Sequence, residues 1–407
     1  MKICTGIAPV NIAVIKYWGK KDEKLILPMN DSISGTLSTD EMHAKTSVAL
    51  SPDFTEDKLW LNGKEVSIHQ PRVAVCLSEL RKLAQQKKSG GDMVHWKMHI
   101  CSENNFPTAA GLASSAAGYS CLVFTIAHAL GLDSSQVSHI ARQGSGSACR
   151  SMFGGFVRWR ALPSELEGKQ SDGEESEDLR RKQSEASNAE QIISEAYWGS
   201  MRVIILVVND QAKSTSSTDG MQRTTLTSTL YTHRVHTVVP ERCERMETAL
   251  NEKDFATFAQ LTMQDSNQFH ACCLDTYPPI VYMNDTSHAV VRFVHEFNTV
   301  AGGTKVAYTF DAGPNACLYL LEDSVPLLLS TLVQYFPASS EISVPYVRGL
   351  KYSTTPSPLQ LPSFTPQPAG LLQYLISTRI GSGPKILDDI PNNHLVNEQG
   401  APNHLTS

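Results

Sequence analysis

The sequence has no run of apolar residues near the roughly 18 that a membrane-spanning helix needs. Its first stretch, MKICTGIAPVNIAVIKYWGKK, is interrupted by Pro9 and Asn11. No secretory leader is expected there. The last residues, APNHLTS, carry no recognisable lipidation or retention signal. Basic charge is not in excess. A net charge of −6 argues against nucleic-acid binding through bulk charge and leaves room for local basic pockets. There are nine cysteines but no C-x-x-C pair, so neither a zinc ribbon nor a thioredoxin-like motif is suggested. The odd, scattered set, with Cys272 beside Cys273, reads as reduced and mostly buried thiols of a cytoplasmic protein. No internal repeat is present.

What is present suits an ordinary globular protein. The chain has 407 residues, 41% hydrophobic and 19% charged, enough for two or three domains and a large core. Alternation and β-rich composition predict strands at 12–18, 46–50, 58–61, 94–101, 201–208, 306–310 and 374–380. Asn62-Gly63 marks a hairpin turn. Helical spacing predicts helices at 71–86, with Val75, Leu80 and Leu83 apolar, and at 242–262. His95 and His99 share a strand face, but their spacing suits a metal site only on a helix. Residues 163–190 are charged and Ser-rich, with Leu166 and Leu179 nearly the only large apolar side chains, so a mobile surface loop is expected. Strands and helices mix without regular βα alternation, which favours an α+β fold.

Four stretches could carry chemistry. Residues 104–118, NNFPTAAGLASSAAG, place small residues ahead of a helix predicted to start near Ser114. Unpaired N–H groups, the helix dipole and serine hydroxyls make such a start a phosphate cradle. The plainer alternative is a capped, tightly packed helix start. No Lys follows the glycine, so this is not a G-x-x-x-x-G-K-[ST] loop. Residues 142–155, RQGSGSACRSMFGG, repeat the theme: Gly144, Ser145, Gly146 and Ser147 offer N–H and hydroxyl donors, and Arg150 a bidentate fork. At the N-terminal strand, alternation puts Lys16 with Trp18 on one face and Asn11 with Tyr17 on the other. Asp311 follows the apolar VAYTF and opens DAGPNA, where it can form a turn, act as a general base, or both.

Together NIAVIKYWGK, NNFPTAAGLASSAAG, ARQGSGSACRS, MQDSNQFHACCLDTYPPI and VAYTFDAGPNA resemble the GHMP kinase superfamily, and within it the mevalonate diphosphate decarboxylase family. The resemblance spans about residues 8–320, with a weaker echo at 378–389. It implies a GHMP-kinase-like two-layer fold with two lobes around a central cleft, the first half ribosomal S5-like and the second ferredoxin-like. Residues 1–195 would form the ATP-binding domain and 196–407 a second domain with a Pro/Ser-rich tail. The implied reaction is ATP-dependent decarboxylation of mevalonate 5-diphosphate to isopentenyl diphosphate.

The resemblance also implies roles. Asp311 would be the base, with Lys16, Ser115, Arg150 and Asn11 as further catalytic residues. Tyr17, Lys20, Arg72, Ser145, Gly146, Ser147, Arg150 and Ser217 would bind substrate. Pro107, Ala110, Gly111, Leu112, Ala113, Ser114 and Ser115 would bind ATP. Mg²⁺ would arrive with ATP rather than in a cage of protein ligands. The partners implied are the two small-molecule substrates and a second copy in a homodimer, with no nucleic acid and no membrane. A kinase of the same fold and an inactive ligand sensor are the competing readings.

Overall fold

The computed structural model describes residues 1–106, 114–168, 174–208, 215–341, 344–388 and 393–403. Among these, three larger sheets organise the chain. The first runs in the order Lys385–Ile386, Lys2–Pro9, His43–Ser51, Lys97–Asn104, Lys58–Leu61, Lys64–Val66. Only the pair Lys58–Leu61 and Lys97–Asn104 is parallel. The helix Ser114–Ala129 covers this sheet, packing Leu122, Val123 and Ile126 with Cys4, Val48 and Ile100.

The second sheet orders Ala189–Ile193, Phe156–Trp159, Ser32–Thr36 and Asn11–Ile15. The third orders Val306–Phe310, Ala316–Leu321, Met201–Val207, Tyr374–Arg379 and Val347–Gly349. The helix Phe255–Asp275 joins these two sheets in one core, with Phe258 and Leu261 among Ile12, Ile33, Val203 and Tyr319. Phe258 is fully buried, so truncating it to alanine should cost about 3–5 kcal/mol. The α+β reading holds, and no described helix is long and apolar enough to cross a membrane. All nine cysteines are buried and unpaired.

Several local expectations need correction. The strand predicted over 12–18 is Asn11–Ile15, with a register shift between Ala13 and Ile15. The face alternation read for residues 16–18 therefore fails. The strand read at 94–101 is a 3₁₀ turn, Gly91–His95, followed by Lys97–Asn104. The helix Pro71–Lys87 buries Val73, Cys76, Leu77, Leu80 and Ala84, while Val75 faces solvent. That stripe follows the 3.6-residue period better than Val75 and Leu83 do. The helix read at 242–262 is two helices, Val239–Glu252 and Phe255–Asp275. They are split by Lys253 at φ 56° and by Asp254, whose side chain caps Thr257 N–H.

The described residues of 163–190 are not a structureless loop. The described part holds the helix Glu174–Ala186 and the start of the strand Ala189–Ile193. Buried Arg142 anchors it, donating to the carbonyls of Ser184 (2.9 Å) and Ser187 and to Ser184 Oγ at 2.9 Å. Backbone carbonyls carry this anchor, and a hydropathy reading does not count them.

Candidate active site

The chain leaves the second sheet at Ile15, and the next residues turn into a cleft of about 480 Å³. The cleft is walled by both halves of the sequence. Asn11, Lys16, Tyr17, Lys20 and Arg72 come from the first strands and helix, and Ser114 and Ser115 from the start of the helix Ser114–Ala129. Ser145, Gly146, Ser147 and Arg150 come from the following loop and 3₁₀ turn, with Ser217 and Asp311 opposite. Every sequence-predicted site residue among the described residues thus lines one cavity. Pro107, Ala110, Gly111, Leu112 and Ala113 lie outside the described residues.

The charges explain how an acidic chain can hold anions. Among the described residues, Lys16, Lys20, Arg72 and Arg150 line the cleft against the single carboxylate of Asp311. Lys16 Nζ donates to Asp311 Oδ1 at 2.6 Å and to Ala13 O at 2.9 Å. Lys20 pairs with Glu23 at 2.6 Å. Arg72 starts the helix Pro71–Lys87 and reaches across to Thr218 Oγ1 at 3.2 Å.

Arg150 is the strongest sign of an anion. Its guanidinium is buried and donates to Ser32 Oγ (2.6 Å), Ser34 Oγ (2.9 Å) and Asn11 Oδ1 (3.2 Å). It forms no ion pair with a carboxylate among the described residues. Burial pulls its guanidinium below the usual arginine value. A buried unpaired cation facing a cavity favours a bound anion. Asn11 is held in turn by Ser147 O (3.0 Å) and Ser151 Oγ (2.7 Å), which fixes its amide and aims its Oδ1 at Arg150.

Tyr17 lies against Trp159, ring centroids 4.5 Å apart. Its hydroxyl is buried and has no partner among the described residues. Burial pushes the phenol far above its ordinary value, so it stays protonated and able to donate. Gly146 lets it approach: a Cβ there would sit 2.8 Å from the Tyr17 ring. Ser115 and Ser145 approach through their hydroxyls at 3.2 Å, linking the two small-residue loops.

Sequence reasoning missed other walls. Ser216 and Thr218 flank Ser217, and Trp18, Met221 and Phe269 supply an apolar side. Ser216 caps the helix Ser217–Thr227 by accepting from Asp219 N–H at 3.1 Å. The Ser-x-x-Asp spacing was the available signal. Ser32 and Ser34 look like ordinary strand residues, and nothing local marks them as partners of Arg150.

A second cavity, about 200 Å³, meets the first at Ser114 and Ser115 and is walled by Leu59, Leu61, Val73, Tyr119 and Leu122. Among the described residues, Cys4, His128 and Asp388 form the one group whose ligand atoms could surround a metal ion, and they do not line either cavity.

Comparison with known proteins gives a consistent picture. Residues 8–172 match the family model of the diphosphomevalonate decarboxylase-like N-terminal domain, and 203–387 that of the mevalonate 5-diphosphate decarboxylase C-terminal domain. The chain is 48% identical to the diphosphomevalonate decarboxylase of Rattus norvegicus, covering 99% of this chain and 97% of the relative. The mevalonate diphosphate decarboxylase of Trypanosoma brucei superposes with a TM-score of 0.84 at 37% identity, covering 97% of this chain and 100% of that one. The structure of MDDEF in complex with MVAPP, AMPPCP and magnesium superposes with a TM-score of 0.70 at 29% identity, covering 95% and 98%.

Proposed function

We propose a division of labour for the cleft of this chain, which belongs to the diphosphomevalonate decarboxylase family. The reaction is the ATP-dependent decarboxylation of mevalonate 5-diphosphate to isopentenyl diphosphate, with release of ADP, phosphate and carbon dioxide. One observation carries the assignment of roles. The Lys16–Asp311 pair and the unpaired Arg150 fork face the same cavity as the hydroxyls of Ser115 and Ser145.

In the first step Asp311 accepts the proton of the tertiary 3-hydroxyl. The hydroxyl oxygen attacks the γ-phosphorus of ATP, and ADP leaves. Lys16 orients Asp311 and offsets charge on the transferring group. Ser115, at the start of a long helix, holds the phosphates with Ser114. The apolar cavity beside these serines suits the nucleoside. In the second step the C–O bond to the new phosphate breaks, and phosphate leaves with the bonding pair. The electrons of the C–carboxylate bond form the alkene, and carbon dioxide is released. Arg150 grips that carboxylate through its fork, with Asn11 fixing the fork's direction. Tyr17, Lys20, Arg72, Ser145, Gly146, Ser147 and Ser217 take the diphosphate.

Mg²⁺ supplies charge neutralisation on the nucleotide phosphates when bound. The cleft, whose one carboxylate among the described residues is Asp311, fits an ion carried by ATP rather than a cage of protein ligands. We place the division of the chain near residues 195–196, and propose a cytoplasmic homodimer.

The decisive experiment mixes purified protein with Mg-ATP and mevalonate 5-diphosphate and follows ADP and carbon dioxide together. Equal release of both is expected. ADP without carbon dioxide would point to a kinase, and neither product, with ATP still bound, to a sensor.

A further inference from the structure

We propose that Asp265 is a positioning residue for the phosphoryl step, fixing the backbone of Lys16 from the helix Phe255–Asp275 so that its ammonium meets Asp311. The proposal rests on the roles given to Lys16 and Asp311 above.

A sheet bond is missing at Lys16. The strand Asn11–Ile15 pairs with Ser32–Thr36, and the pairing ends at Ile15 opposite Ile33 after the register shift. Lys16 is the next residue, and only 2% exposed. Its N–H has left the ladder and cannot reach water, so it needs an acceptor. Asp265 Oδ2 supplies one at 2.7 Å. The carbonyl of Lys16 is also held, by Asn30 Nδ2 at 3.1 Å and by an Arg234 NH2 donor at 3.4 Å. With both backbone groups fixed, the side chain folds back over the irregular strand to Ala13 O and Asp311.

Asp265 is itself over-determined. It is fully buried and accepts from both terminal guanidinium nitrogens of Arg234, at 2.8 and 2.9 Å, and from Arg242 at 3.0 Å. Gln268 Oε1 accepts from both arginines at 2.8 Å. Burial opposes ionisation of Asp265, but the arginines and the Lys16 N–H outweigh it and hold the carboxyl below its usual range. It therefore stays a charged acceptor. Arg234 sits in a π-helical turn, Arg234–Val238, a wide turn that recurs at functional sites.

A purely structural role explains this cluster poorly. Buried ion pairs contribute little net stability compared with well-packed apolar residues of the same volume. What an apolar replacement could not do is take the N–H of Lys16.

The test is a double-mutant cycle on kcat, read as carbon dioxide released from carboxyl-labelled substrate. Asp265→Asn is measured in the wild-type background and in Lys16→Met. In the wild-type background a loss of about tenfold in kcat is expected, with the KM for ATP within about twofold of wild type. The same substitution added to Lys16→Met should cost nothing further. An equal fold-loss in both backgrounds would overturn the proposal, because Asp265 would then act independently of Lys16. So would an unchanged kcat in the wild-type background. If Lys16→Met alone keeps full turnover, the role of Lys16 itself fails, and this proposal with it. Should Asp265→Asn not fold, Arg242→Gln at the rim of the network, which leaves Arg234 in place, is read in the same two backgrounds. A loss of about threefold confined to the wild-type background supports the proposal, and an equal loss in both overturns it.

Discussion

Nζ of Lys16 lies 2.6 Å from Oδ1 of Asp311, yet the lysine side chain is 3% exposed and the carboxylate 30%. The two partners are thus at different depths. The ammonium lies beneath, and the carboxylate is the more exposed member in the cleft. Exchanging Asp311 for asparagine keeps the shape and removes the proposed base. Turnover should fall by about 10² or more, while ATP binding survives. Full turnover in that variant, by coupled ADP release, would rule out the role.

Arg150→Lys keeps the charge and loses the fork. Arg150 reaches Ser34 and Asn11 from Nε and Ser32 from a second nitrogen, a spread that a single ammonium does not reproduce, so a stability loss of about 1–3 kcal/mol is expected from denaturant unfolding. Carbon dioxide release should drop by at least about tenfold. Wild-type kinetics would mean that the arginine has no anion to grip.

Gly146→Ala adds a methyl group where the Tyr17 ring already sits at 2.8 Å. The loop or the ring must move, at about 1–3 kcal/mol. Because both face the cavity, the KM for mevalonate 5-diphosphate should rise more than the KM for ATP. Equal changes in both constants would show that the loop is not a substrate contact.

Acid should destabilise the fold before its carboxylates titrate. Burial, aided by Lys16, lowers His270 from 6.5 to about 3; burial, aided by Arg142, lowers His139 from 6.5 to about 4. Below about 6.5 the unfolded chain takes up protons that these folded histidines refuse. The contribution of these two histidines is therefore level above that pH and falls as pH drops toward 4, by about 1.4 kcal/mol per unit for each group. His270 Nε2 has no hydrogen-bond partner among the described residues, and its ring packs near Phe269 and Phe310. Denaturant unfolding between pH 7 and pH 5 should show a shallower slope in His270→Phe. An unaltered slope would mean that His270 titrates normally in the folded protein.

The parts of this site that are readable in sequence share one property: they need a particular residue type at a particular spacing. Gly146 beside Ser145 and Ser147, the serines at 114 and 115, and Asp311 after an apolar strand are of this kind. The parts that are not readable depend on a break in regularity. Alternation assigned faces to Lys16, Tyr17 and Trp18, but the strand stops at Ile15, and each side chain then goes its own way. Trp18 donates from Nε1 to Thr224 Oγ1 at 3.1 Å, Tyr17 turns to Trp159, and Lys16 folds back. Asp265 matters only because of that break, so nothing around it in sequence announces its partner. The segment 163–190 departs from its composition for another reason. Its hold on the fold is polar, through Arg142 and backbone carbonyls, where composition registers only a lack of apolar side chains.

The strand Lys385–Ile386 completes the sheet that Lys2–Pro9 begins, with Gly6 opposite Ile386 and Ile7 opposite Lys385. The join is reinforced by Leu387 N–H on Thr5 O at 2.8 Å and by Thr5 N–H on Asp388 Oδ1 at 2.6 Å. On the ribosome these partners are separated by nearly the whole chain, and translation takes tens of seconds to cross it. During that interval the first strand has an open edge that any neighbouring nascent chain can pair with. The first half of the protein is thus made first and finished last.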